Sequence, residues 1–167
     1  MGFVMTAAPL AMVLHDHHRD SAVLGIQWHV LAMFGPSFVT GHLITRFGAE
    51  RIVATGLLLL VGCAVVALSG TSVGHFWLAL IFLGVGWNFG FIGGTSLVTR
   101  SYRPEEKEKV QALNDFLIFG LVAVASFSSG ELLLVGGWDV VNIMVLPVAF
   151  VCLLALFWQM RRQPSEA

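Results

Sequence analysis

Long runs of apolar residues, separated by short polar breaks, constrain this chain more than any other feature. A helix of about 20 apolar residues crosses the hydrocarbon core of a bilayer, where each segment must satisfy its own backbone hydrogen bonds. The pattern therefore predicts an all-α membrane protein with six transmembrane helices. We expect these helices to form a single bundle over residues 1–167, in which residues 1–51 and 52–167 are not separate domains. The runs cover residues 2–14, 22–44, 52–69, 76–98, 110–134 and 138–160.

The first run is shorter than the others. Its 13 residues would extend about 20 Å as a helix, whereas the hydrocarbon core is about 30 Å thick. A cleaved signal peptide is disfavoured because no basic residues precede the run and a His- and Asp-rich segment follows it. We therefore expect a truncated first helix, with Met1 as an internal methionine of a longer chain.

Composition excludes several classes of protein. Charged residues make up only 11% of the chain and the mean hydropathy is +0.84, against about a quarter charged residues in soluble domains. The net charge of −1 offers no basic surface for nucleic acid, so the lipid bilayer is the expected partner. We find no paired nucleophile and base, no phosphate-binding loop and no metal-ligand spacing, and we predict neither an enzyme nor any cofactor or metal.

The distribution of cations predicts the orientation of the chain. Lys and Arg in short loops remain cytoplasmic, and with six spans eight of the nine cations fall on one side, leaving only Arg19 opposite. This predicts an integral membrane protein of the bacterial inner (plasma) membrane, with both termini in the cytoplasm. The eight cations are Arg46, Arg51, Arg100, Arg103, Lys107, Lys109, Arg161 and Arg162.

An internal repeat appears when the chain is aligned with itself at an offset of 89 residues. Residues 37–48 then match residues 126–137 without a gap and with five identities. The two stretches end the second and fifth predicted helices, which run in opposite directions. This indicates an inverted repeat of three plus three helices, a pattern typical of transporters. The alternative is chance matching among abundant Gly, Leu and Phe.

The segment from Gly41 to Arg51 resembles the signature loop of the major facilitator superfamily. Its sequence is Gly41-His-Leu-Ile-Thr45-Arg46-Phe-Gly48-Ala-Glu-Arg51, and the family pattern is Gly-x-Leu-x-Asp-Arg-x-Gly-x-x-Arg. Thr45 replaces the Asp, which weakens the charge network attributed to this loop and is more typical of the second copy.

Residues 100–111 likewise resemble the loop between helices 10 and 11 of that family. The resemblance implies the C-terminal half of a transporter, helices 7 to 12, that works with a missing N-terminal six-helix half or with a second copy. It further implies alternating access, a small-molecule substrate and a cytoplasmic gate containing Gly41, Arg46, Gly48 and Arg51.

Polar residues at membrane depth are costly and therefore candidates for function. Trp87 and Asn88, near the centre of the fourth run, are predicted to bind substrate. The alternative is packing, with Asn88 bonding a neighbouring helix and small residues allowing close approach. Gln27 and His29 are predicted to line an outer vestibule, where imidazole titration can couple proton movement; the alternative is an interfacial position. The glycines assigned to packing are Gly86, Gly90 and Gly94.

The fifth run carries polar residues on one helical face, which should point at protein or water. Asp115, supported by Asn114, is predicted to serve gating or proton coupling, and the alternative is a salt bridge to Arg46 or to an arginine of the absent half. The function predicted is a secondary active transporter driven by an ion gradient; the alternative is a non-transporting six-helix scaffold or sensor. The face comprises Asp115, Phe119, Val122, Ser126 and Ser129.

Overall fold

The computed structural model describes residues 1–162, and within that range all regular structure is helical. The prediction of an all-α fold is confirmed. A single 3-10 turn, Pro104–Glu106, precedes the sixth helix. The α-helices are α1 (Gly2–Leu14), α2 (Arg19–Phe34), α3 (Ser37–Phe47), α4 (Ala49–Ser69), α5 (Val73–Thr99), α6 (Lys107–Ile143) and α7 (Val145–Arg162).

Three stretches in residues 1–162 are long and apolar enough to cross a membrane by themselves. These are α4, α5 and the nearly continuous run from Pro104 to Arg162. The pair α2 and α3 supplies a fourth span if its two parts, bent by 41°, are counted together. α1 is apolar but has only 13 residues. The count of six spans and the six-helix inverted repeat therefore stay predictions.

The run Pro104–Arg162 reverses direction near Gly137. Its 59 residues would extend about 90 Å if straight, three times the hydrocarbon thickness. Trp138 donates a hydrogen bond to the Ala67 carbonyl at the end of α4, whereas Leu146 and Leu153 line a cavity with residues from the middle of α4. The break predicted between the runs 110–134 and 138–160 coincides with Gly137, whose φ of 74° and ψ of −179° are not helical and suit glycine. The two helical parts of α6 are joined there by a kink and not by a longer loop.

The second run, 22–44, is also broken. Pro36 divides it into α2 and α3 because proline lacks the N–H that would continue the helical ladder and its ring crowds the preceding turn. The run 22–44 is predicted as one span, whereas the structure has two helices bent by 41°.

The polar loops lie at two ends of the bundle. At one end the His17 Nε2 atom lies 2.6 Å from the Thr71 carbonyl, joining the α1–α2 and α4–α5 loops. At the other end Arg100 Nη1 lies 3.5 Å from Glu50 Oε1, joining the α5–α6 loop to the start of α4. The two cation-rich loops therefore share one end, as the charge pattern requires. Which side of a membrane that end faces stays a prediction.

α5 is the central helix and packs closely on both α4 and α2. A Cβ atom built on Gly56 would lie 2.8 Å from the Gly86 carbonyl oxygen, so these two backbones nearly touch. The packing role predicted for Gly86 is confirmed. A Cβ atom on Gly90 or Gly94 would meet no atom within 4 Å, so the same role for these two glycines is wrong.

Residues related by the offset of 89 have similar environments. Gly48 and Gly137 both have positive φ angles, of 90° and 74°. Thr40 and Ser129 are both fully buried, and the hydroxyl of each donates to an atom of another helix. These correspondences support the alignment of residues 37–48 with 126–137.

Candidate functional site

Asn88 on α5 joins the two parts of the broken α2–α3 helix. Its Nδ2 atom donates to the Met33 carbonyl at 2.8 Å and to the Ser37 hydroxyl at 2.6 Å. Its Oδ1 atom accepts a hydrogen bond of 2.6 Å from the Thr40 hydroxyl. Carbonyls in the last turn of a helix lack intrahelical partners, and Met33 is in that turn of α2. The carboxamide therefore satisfies a backbone group that the break leaves free.

These bonds give Asn88 a structural role in holding α2 and α3 against α5. The side chain is 4% exposed, and its partners lie on both sides of Pro36. Replacing it by an apolar residue would leave the Met33 carbonyl and the Thr40 hydroxyl without this partner in an apolar environment, which is costly. The alternative in which Asn88 bonds a neighbouring helix is confirmed, while substrate binding by Asn88 stays a prediction.

Asn88 also borders an aromatic cleft of about 350 Å³ between α2, α3, α5 and α6. The Trp87 and Phe91 rings, one helical turn apart on α5, are nearly parallel at 22° with centroids 5.5 Å apart. Asn88 and Ser37 supply the polar atoms of a mostly apolar wall. We name this space the aromatic cleft; it is lined by Met1, Met33, Phe34, Ser37, Trp87, Asn88, Phe91, Ile92 and Phe119.

The cleft has the composition of a site for a flat ring system. Apolar and aromatic walls with a few fixed polar groups are the usual lining of small-molecule sites, and aromatic faces stack on planar ligands. Both N–H groups of the Asn88 amide are engaged by Met33 and Ser37, so the polar group that this wall can offer to a ligand is the hydroxyl of Ser37, which is exposed.

A second, more polar pocket of about 210 Å³ lies along α5 and α6 towards the end that carries Arg100. Phe91 lines both spaces, so the two adjoin at this ring. Asn114 Nδ2 donates to Asp115 Oδ1 over a long 3.3 Å, and the Asp115 side chain is exposed. We name this space the polar pocket; it is lined by Phe91, Thr95, Val98, Thr99, Gln111, Asn114 and Asp115.

The polar face predicted on the fifth run points at protein and at these two spaces, as expected. Ser129 donates to the Phe3 carbonyl of α1 at 2.6 Å, and Val122 and Ser126 lie against Gly2. Phe119 lines the aromatic cleft and Asp115 the polar pocket.

The predicted vestibule residues lie elsewhere. Gln27 is exposed on α2 and does not line the cleft. His29 is fully buried between α2 and α5, where its Nδ1 atom lies 2.9 Å from the Leu80 carbonyl, and its Nε2 atom has no hydrogen-bond partner in the described structure. Substrate binding by Gln27 and His29 stays a prediction.

The signature-loop residues lie at the end of α3 and the start of α4. Gly48 follows the last residue of α3 and has φ 90° and ψ 149°, a backbone conformation that is nearly restricted to glycine. A Cβ atom on Gly41 would meet nothing within 4 Å. The Arg46 guanidinium lies 5.3 Å from the Phe47 ring centroid, and Arg51 is exposed. The gating role of these residues is untested and stays a prediction.

One alternative for Asp115 is wrong within residues 1–162. No ion pair joins Asp115 to Arg46; the arginine ion pair at this end of the described bundle is Arg100 with Glu50. Asp115 instead lines the polar pocket. Its proposed pairing with an arginine outside this chain is untested.

Sequence reasoning missed part of the site. Phe91 and Phe34 were not singled out, although Trp87 and Phe91 have the i, i+4 spacing of residues on one helical face. Ser37 was read only as part of the repeat, and Glu50 only as part of the loop. In residues 1–162 no three His, Cys, Asp or Glu residues cluster with metal-binding geometry.

Comparison with known proteins identifies the family. The family model described as Major Facilitator Superfamily matches residues 1–167. The chain is 56% identical over its whole length to "Riboflavin transporter RfnT" of Brucella anthropi, and covers 42% of that protein. It is 32% identical over its whole length to "Uncharacterized MFS-type transporter YddS" of Bacillus subtilis, and covers 39% of it.

The chain thus spans about two fifths of the length of these curated relatives. No solved structure gives a significant match. The relatives are integral membrane transporters and not enzymes, in agreement with the predictions of membrane location and of no enzymatic activity. On the match of the family model to every residue, the chain belongs to the Major Facilitator Superfamily.

Proposed function

We propose that this chain forms part of a secondary transporter for a flat heteroaromatic solute of the flavin type. The aromatic cleft carries this proposal, because the nearly parallel Trp87 and Phe91 rings beside the Ser37 hydroxyl suit a planar ring with polar edges. The name of the relative with 56% identity, a riboflavin transporter, supports the same class of solute.

We also propose that transport proceeds by alternating access and is driven by an ion gradient. The correspondences between residues 37–48 and 126–137 support an inverted repeat, and opposed repeats can expose one site to either side in turn. Asp115, with Asn114, is the candidate coupling group, because it is an ionisable residue that lines the polar pocket, which adjoins the aromatic cleft at Phe91. If uptake is unchanged when a protonophore collapses the pH gradient, proton coupling is excluded.

The proposed function is tested by riboflavin uptake in cells that lack their own uptake system and carry the complete gene encoding this chain. Trp87→Ala removes one stacking face, and we expect uptake at low riboflavin concentration to fall about tenfold per folded molecule. Trp87→Phe keeps an aromatic face and should retain most activity.

Trp28→Ala is the matched control. Trp28 has the same side chain, lies on α2 and does not line the cleft, so this variant should transport normally. Asn88→Ala is a poorer probe, because it also breaks the bonds to Met33, Ser37 and Thr40. Equal uptake by the Trp87→Ala and Trp28→Ala proteins would refute a substrate site in the aromatic cleft.

A further inference from the structure

The aromatic cleft and the polar pocket form one slot with two compartments of different chemistry. On α5, Trp87, Phe91 and Thr95 follow one another at intervals of four residues, so they lie along one face over about 12 Å. On α6, Phe119 and Asp115 are likewise one turn apart. Of these side chains, Trp87 and Phe119 line the aromatic cleft, Thr95 and Asp115 line the polar pocket, and Phe91 borders both.

The helix packing explains why this slot is open. α5 packs on α4 and α2, whereas α6 packs chiefly on α1. Because α5 and α6 have different main partners, their facing sides are not filled by contact with each other along this stretch. Side chains of both helices therefore line the polar pocket: Thr95 and Thr99 from α5, and Gln111, Asn114 and Asp115 from α6.

The polar pocket is rich in hydrogen-bond acceptors. The Asp115 carboxylate accepts only, and the Asn114 and Gln111 side chains each carry a carbonyl oxygen. Gln111 Nε2 donates to the Tyr102 hydroxyl at 2.8 Å, and Thr99 Oγ1 donates to the Ser96 carbonyl at 2.7 Å. The Thr99 hydroxyl proton and one of the two Gln111 N–H groups are thus engaged within the protein, which leaves the oxygen lone pairs of both residues for a ligand.

Such a set of groups suits a neutral polyol. Each hydroxyl of a polyol donates one hydrogen bond and accepts others, which matches several acceptors together with the Thr95 hydroxyl. No Lys or Arg lines the pocket and one carboxylate does, so a phosphate group would be disfavoured there. The pocket therefore favours an uncharged chain of hydroxyls over a phosphorylated one.

We propose that the polar pocket is a subsite for the polyhydroxyl tail of a ligand whose planar ring occupies the aromatic cleft, with Thr95 and Asn114 as specificity-determining residues. The inference rests on the proposed function and adds to it the recognition of the second part of the solute. Riboflavin has this composition, a tricyclic ring that carries a ribityl chain, whereas lumiflavin carries a methyl group in its place.

The experiment compares these two ligands on the purified full-length transporter, by the quenching of flavin fluorescence on binding. The wild-type protein should bind riboflavin more tightly than lumiflavin. Thr95→Val, which removes the hydroxyl at nearly constant volume, should weaken riboflavin binding about fivefold and leave lumiflavin binding unchanged. Asn114→Leu should act in the same way, and Thr95→Ser should restore riboflavin binding.

Thr55→Val is the matched control, because the Thr55 hydroxyl bonds the Arg51 carbonyl on α4 and lies outside both spaces. This variant should bind both ligands as the wild type does. Flavin mononucleotide, whose tail ends in a phosphate, should bind more weakly than riboflavin.

The failures of the two proposals are distinguishable. If the wild type binds neither riboflavin nor lumiflavin, the proposed function fails and the subsite with it. If both bind but Thr95→Val and Asn114→Leu weaken them equally or not at all, the tail subsite is refuted while the flavin site in the aromatic cleft stands.

Discussion

The close contact between α4 and α5 predicts a large difference between two otherwise similar substitutions. Gly56→Ala places a methyl group 2.8 Å from the Gly86 carbonyl oxygen and 2.9 Å from the Gly90 amide nitrogen. Both atoms belong to the α5 backbone and cannot rotate aside, so the two helices must separate. Gly90→Ala adds the same methyl group to the same pair of helices, where it meets no atom within 4 Å.

The magnitudes follow from packing and helix propensity. Forcing a methylene-sized group into a well-packed site costs about 1–3 kcal/mol, and we expect about 2 kcal/mol for Gly56→Ala. Gly90→Ala is free of that cost and gains up to about 1 kcal/mol from the higher helix propensity of alanine. The free energies of unfolding of the two variants should thus differ by about 2–3 kcal/mol, which is a difference of about 30-fold to 150-fold in the unfolding equilibrium.

The measurement is unfolding of the full-length protein in mild detergent by increasing amounts of SDS, followed by helical circular dichroism. Gly56→Ala should unfold at a clearly lower SDS fraction than the wild type, and Gly90→Ala at the same fraction or a higher one. Equal shifts for both variants would show that glycine content, and not the contact between Gly56 and Gly86, determines the stability of this helix pair.

Two further predictions concern the signature loop and the topology. Gly48→Ala should destabilise the protein by about 1–3 kcal/mol in the same SDS assay, because the backbone φ angle at this residue is 90°. Gly41→Ala, where a Cβ atom would meet nothing within 4 Å, should leave the stability unchanged. Similar losses of stability for both variants would contradict a backbone effect at Gly48. Thiols introduced at Thr45 and Glu105 of a cysteine-free protein should react with an impermeant maleimide only from the cytoplasmic side, and a thiol at His17 only from the outside; labelling of the first two from opposite sides would refute the predicted topology.

The features that hydrophobicity controls were predictable from the sequence. The lengths of the apolar runs predict the positions of α4 and α5. The charge counts predict that the two cation-rich loops lie at one end of the bundle. Neither prediction needs knowledge of how the helices contact one another. The break at Gly137 was predictable in position, because a pair of glycines followed by Trp and Asp is typical of a chain reversal. Its tight form was not predictable: Trp138 packs on Phe76 and bonds Ala67, which keeps this segment against the bundle.

The site was predictable in part. The central position of Trp87 and Asn88 in their apolar run identified them as candidates, because placing polar groups at membrane depth is energetically costly. The partners of Asn88 could not be predicted, since they depend on how α2, α3 and α5 meet in space. The polar pocket depends in the same way on the divergence of α5 and α6, and Thr95 and Gln111 carry no sequence signal that separates them from ordinary polar residues near a helix end.

The Asn88 carboxamide couples three helices at one point. Its three hydrogen bonds reach atoms on either side of Pro36, so a change in the angle between α2 and α3 must strain or exchange at least one of them. A displacement of α5 at Asn88 would therefore act on both of these helices. Because Arg46 lies in the last turn of α3, a rotation of α3 relative to α2 would also move this side chain at the other end of the helix.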